Sequence, residues 1–232
     1  MADWRWWVFS DIGLAARLAI GGTILLILAG NDLRRHGRAA TRWREYAFLL
    51  IAAAAAAAYG AMNDLVTSAI SWEYFYFGKG LSDTLGPVEP PAVGALAWGA
   101  AKIGMASSWS AGVLAGAILL LANSYPGRRG TPVESMSMPR LLRWLWRVAM
   151  GALIGGVIGG IAGRIISGFW MPIDLHGLGG MDDRRAALFM TTWGIHGGSY
   201  LGAGIATIQC AWRIRSGGTS ALTENKGDIT TY

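Results

Sequence analysis

A carboxylate and an imidazole stand in stretches where ionisable side chains are expensive. Asp64 follows residues 46–62, YAFLLIAAAAAAAYGAM, and leads through Leu65-Val66-Thr67 into the aromatic block Trp72-Glu73-Tyr74-Phe75-Tyr76-Phe77. On a helix, Gly60, Asp64 and Thr67 or Ser68 share one face. Small and hydroxyl-bearing neighbours suit a carboxylate that must be hydrogen-bonded inside a bundle. With Glu73 close in sequence, the chemistry on offer is a proton or cation site at an outer mouth. The plainer reading is a helix end pinned near the interface by a structural bond.

Lys102 lies in the next apolar segment, about 15 Å from its start at 1.5 Å per residue. An unpaired ammonium there is costly. Asp64 is the nearest opposite charge by depth, so an Asp64–Lys102 pair is expected, as internal glue more than as a proton relay. His196 sits in Trp193-Gly194-Ile195-His196-Gly197-Gly198-Ser199-Tyr200. Tyr200, four residues on, shares its face, and Gly197, Gly198 and Ser199 clear space beside the ring. The leading reading is a structural histidine bond. The others are a titrating group bonded to Tyr200 or Asp64, and an axial ligand to a haem or chlorophyll-type macrocycle. The absence of a second intramembrane histidine excludes bis-histidine haem within one chain. Asp174, His176, Asp182 and Asp183 match no strong metal spacing and read as a solvated loop.

These side chains require a helical bundle to hold them. Five segments fit the hydrocarbon thickness, near 11–30, 46–69, 92–122, 143–166 and 186–212. The expected architecture is an all-α membrane protein, a single domain over 1–215, with a disordered tail over 216–232. Glycines space the packing: Gly151, Gly155, Gly159 and Gly163 recur every fourth residue, and Gly194, Gly198 and Gly202 do the same later. Such stripes let backbones approach closely in lipid. A narrow pore or a slot for a flat ligand is the functional alternative.

Composition agrees. Of 232 residues, 53% are hydrophobic and 15% charged, with 34 glycines and 12 tryptophans. Mean hydropathy is +0.37. The net charge of +6 reads as topology, not nucleic-acid binding. Arg34, Arg35, Arg38, Arg42 and Arg44 crowd the first loop, and Arg128, Arg129, Arg140, Arg143 and Arg147 the third. Arg213, Arg215 and Lys226 follow the last segment. Positive-inside places these in the cytoplasm of a bacterial inner membrane, with the N-terminus outside. Arg17, one turn into the first segment, would snorkel to the outer interface. The lone Cys210 forms no internal disulfide. No cleavable signal peptide, internal repeat, P-loop, HExxH or nucleophile signature is visible. Trp4, Trp6, Trp7, Trp43, Trp144, Trp146, Trp170 and Trp212 read as interfacial anchors.

Tyr59-Gly60-Ala61-Met62-Asn63-Asp64-Leu65-Val66-Thr67, followed by Ile70-Ser71-Trp72-Glu73-Tyr74-Phe75, resembles a group of uncharacterised bacterial integral membrane proteins with a Y-G-x-x-H-D-x-x-T…I-S-P-E-Y-F pattern. Leu96-Ala97-Trp98-Gly99, Ala106-Ser107-Ser108-Trp109-Ser110-Ala111-Gly112 and 193–200 are similar to that family's L-x-W-G…A-T-W-W-x-G and W-A-H-N-A-S-Y segments. Asn63 stands where the family has His, and Trp72 where it has Pro, which weakens any His-Asp proton or metal site here. The resemblance implies no activity. It implies a shared cluster of Asp64, Glu73, His196, Ser199 and Tyr200.

Three functions remain. The first is a non-catalytic accessory subunit of a larger membrane complex, partnered by other subunits or by self-association within the bilayer. The second is a small transporter or proton path through Asp64, Lys102 and His196. The third is an outer-face enzyme on lipid or quinone, with Glu73 and His196 as acid and base. It requires an opening between helices wide enough for a chain.

Overall fold

The computed structural model describes residues 11–37, 40, 42–124, 137–169 and 180–224. Five long helices dominate: α1 (Asp11–His36), α2 (Trp43–Ile70), α3 (Val93–Asn123), α4 (Met138–Ile166) and α5 (Asp183–Glu224). Of the described residues 88% are helical, and none lies in a strand. The helix ends have local causes. α2 stops where Ser71 turns extended. α4 begins with a proline in its first turn, where a missing N–H costs nothing. α5 is capped by Asp182, whose carboxylate accepts the Arg185 N–H at 2.8 Å.

Four helices are long and apolar enough to cross a membrane: Ala15–His36, Trp43–Ile70, Val93–Asn123 and Met138–Ile166. The fifth expected segment does not meet that measure of length and apolarity. α5 falls short because its central turns carry Thr191, Thr192, His196, Ser199 and Tyr200. Three of these, Thr192, His196 and Ser199, are buried against other helices. The polarity that lowers its hydropathy is therefore turned inward. α5 also runs beyond its expected end, so residues 216–224 are helical, and Ser216 Oγ bonds back to the Trp212 carbonyl at 3.0 Å. Arg17 Nε donates to the Gly13 carbonyl, one turn nearer the start of α1, at 3.2 Å.

The long helices form two glycine-seamed antiparallel pairs. In α4–α5, a Cβ on Gly155 would strike the Gly198 carbonyl, one on Gly159 the Gly194 carbonyl, and one on Gly163 the Met190 carbonyl. A Cβ on Gly151 would come within 2.9 Å of the Gly202 carbonyl. In α2–α3, Gly60 meets Gly104 and Ser108, and Gly112 meets Ala52 and Ala56. α1 touches the body mainly through α2. Its buried Asp32 accepts the Trp43 N–H at 3.2 Å and lies 2.9 Å from His36 Nδ1.

Large side chains collect at both ends of the bundle. One cluster joins Tyr74, Phe75, Leu81, Leu96, Phe189 and Met190. The other joins Phe48, Leu119, Leu141, Val148, Cys210 and Ile214. Between them the facing helices carry mostly alanine and glycine, and that leaves space.

Candidate functional site

The space is a cleft of about 110 Å³ between the two helix pairs. Its shaft is lined by Ala52, Ala56, Gly112, Ala115, Ala149 and Ala203. Its other end presents Tyr59, Asn63, Asp64, His196 and Ser199. From Ala52 to Asp64 along α2 is about 18 Å. The cleft is partly open, with the lining residues Ala55, Ala111 and Tyr200 exposed. It exists because seven successive alanines, 52–58, put no bulky group at mid-bundle.

Asp64 and His196 meet across this polar end. His196 Nδ1 lies 3.6 Å from Asp64 Oδ1, both side chains being buried. Asn63 Nδ2 donates to the same carboxylate oxygen at 3.3 Å. His196 Nε2 lies 3.3 Å from Thr67 Oγ1. The Thr67 hydroxyl has a single proton, and it goes to the Asn63 carbonyl at 2.7 Å. Nε2 therefore carries the hydrogen of that contact. In the neutral ring Nδ1 is then a lone pair facing a carboxylate oxygen. A proton on Nδ1 or on the carboxylate, or a further donor between them, makes the contact attractive.

The imidazole is held on its faces as well. The Tyr74 ring stacks on it at 4.9 Å and 26°, and Phe75 approaches edge-on at 5.8 Å. Two adjacent residues reach one ring because Tyr74–Gly78 is a π-helical turn, a wider geometry frequent at functional sites. Burial, and secondarily the Asp64 charge, push the Tyr74 phenol above its ordinary range. Lys79 Nζ sits 5.5 Å from the Tyr74 ring centre.

The expected residues separate into groups. Asp64 and His196 come together. Ser199 pairs with Tyr59, hydroxyl to hydroxyl, at 3.0 Å. Tyr200 is half-exposed and donates to Ser107 Oγ at 3.3 Å, away from His196. Glu73 belongs to a different construction. It accepts Arg185 Nε at 2.6 Å and Ser71 Oγ at 2.9 Å, with the guanidinium 5.2 Å from the Trp72 ring. That pairing sets Glu73 apart from the Asp64–His196 contact. Lys102 is not the partner of Asp64. Gly104 lies against the Asp64 carboxyl carbon, and Lys102, two residues back, falls on another side of α3. A macrocycle ligand at His196 would have to displace Asp64 or Thr67 from a ring nitrogen, beside the stacked Tyr74 ring.

Thr67 was expected only as a polar neighbour, and Tyr59 and Arg185 were not singled out. For Tyr59 the available signal was its place one turn before Asn63 on the same helix face. Residues 174–176 lie outside the described residues, as do Trp4, Trp6, Trp7 and Trp170. Among the described residues no three His, Cys, Asp or Glu side chains converge to hold a metal. Compared with family models, curated proteins and solved structures, the chain matches none.

Proposed function

We propose that this polytopic membrane protein takes up a lipophilic molecule, a chain or single ring with one polar end, in the cleft between its helix pairs. The observation that carries the reading is the polarity gradient along one cavity, apolar at Ala52 and Ala115 and hydrogen-bonding at Asp64, His196, Ser199 and Tyr59. Ligand sites are generally apolar hollows with a few convergent polar groups. The volume suits a modest occupant, since an engineered apolar cavity of about 150 Å³ holds benzene. The opening supports entry from the bilayer. The bacterial inner-membrane location, the outside N-terminus and a fifth span through α5 belong to the same proposal.

The test is purification from native membranes in mild detergent, with mass spectrometry of both small molecules and proteins retained. The expected result is a lipophile near one per chain that is lost on Ala149→Phe, which fills the shaft. Recovery of a defined protein complex without such a molecule would instead establish the accessory-subunit reading.

A further inference from the structure

We infer that the head group accepted by this cleft is a protonated amine, so that the ligand class is lipophilic ammonium ions. The inference rests on the cleft reading above. It comes from the donor and acceptor inventory at the polar end. Thr67, whose only proton is committed to the Asn63 carbonyl, calls for a hydrogen on His196 Nε2. With the ring neutral and the carboxylate ionised, Nδ1 and Asp64 Oδ1 face each other at 3.6 Å as two acceptors. An ammonium N–H placed between them satisfies both and brings the charge that a carboxylate in an apolar site lacks. Lys79 stands on Tyr74, and neither residue lines the cleft. An anionic head would meet the Asp64 carboxylate directly. A neutral alcohol supplies one donor and no charge.

The probes are dodecylammonium, dodecanol and dodecyl phosphate, which share one chain and differ in the head. Retention of each radiolabelled probe is measured on protein in phosphatidylcholine nanodiscs, against empty discs. The expected order is ammonium, then alcohol, then phosphate, with ammonium ahead of alcohol by at least about tenfold, the scale of a charge-assisted hydrogen bond. Asp64→Asn is expected to reduce that preference to within about threefold. Equal retention of alcohol and ammonium, both abolished by Ala149→Phe, would overturn the amine assignment and leave the cleft reading intact. Retention of no probe above empty discs would overturn both. The ranking on the unaltered protein decides the matter even if Asp64→Asn fails to fold.

Discussion

Arg185 holds the segment after α2 against α5 through a carboxylate that has almost no exposure. Glu73 is 3% exposed, whereas the Arg185 side chain is 33% exposed. Removing the arginine leaves a buried carboxylate with Ser71 as its remaining bonded partner. Breaking a fully buried pair costs several kcal/mol, and the exposure of Arg185 discounts this to about 2 kcal/mol. Arg185→Ala should therefore lower the thermal unfolding midpoint in detergent clearly. Adding Glu73→Gln should restore part of the loss, because the stranded charge is gone. A double variant as unstable as the sum of its parts would show that the two residues act independently. The same pair shows what was legible at this scale. That Asp64 faces inward with Gly60 and Thr67 follows from helical spacing. Its partner does not, because the rotation of α3 is set by Gly60 closing on Gly104 and Ser108, and that turns Lys102 aside. Arg185 read as a loop charge, since only the fold brings it to Glu73 across 112 residues.

At the level of elements the glycines divide into those that carry a seam and those that do not. Gly155, Gly159 and Gly198 have a neighbouring backbone where a Cβ would go, while Gly197 and Gly204 have nothing within 4 Å. Alanine at a seam position must push α4 and α5 apart, and association in lipid depends on that close approach. Alanine at Gly197 or Gly204 meets open space and gains helix propensity of up to about 1 kcal/mol. Gly155→Ala and Gly198→Ala should thus lower the melting midpoint in detergent, and Gly197→Ala and Gly204→Ala should leave it unchanged or raise it. Equal shifts at Gly155 and Gly197 would contradict the seam. The every-fourth-residue spacing made the α4 stripe readable in advance. The π-helical turn at Tyr74–Gly78 was not readable, because an aromatic run at a helix end has no periodicity that separates α from π geometry.

For the whole molecule the open question of architecture is α5. Four helices are long and apolar enough to cross on their own. To cross, α5 would need its partner; His196, Ser199 and Thr192 are buried, and Leu201, Ile205 and Ile208 are exposed on the outside. A polar helix of this kind is stable in a bilayer when its polar atoms are satisfied by protein; His196 and Ser199 contact Thr67 and Tyr59, whereas the buried Thr192 hydroxyl has no hydrogen-bond partner among the described residues. Its seam with α4 runs from Gly163 against Met190 to Gly151 against Gly202, so the two helices cover the same depth. If α4 spans, α5 spans with it. Single cysteines test this in a Cys210→Ala background, since Cys210 is the chain's one thiol. Asp183→Cys at the start of α5 and Ser216→Cys beyond its packed part are placed in separate proteins and exposed to a membrane-impermeant maleimide in sealed vesicles. Labelling from opposite sides is the expected outcome, with position 216 on the side of the arginine-rich loops. Labelling of both from one side would fold α5 back from the bilayer. Asp64 and His196 would then lie at a water-exposed seam, and the cleft would lose the apolar surroundings on which its selectivity depends.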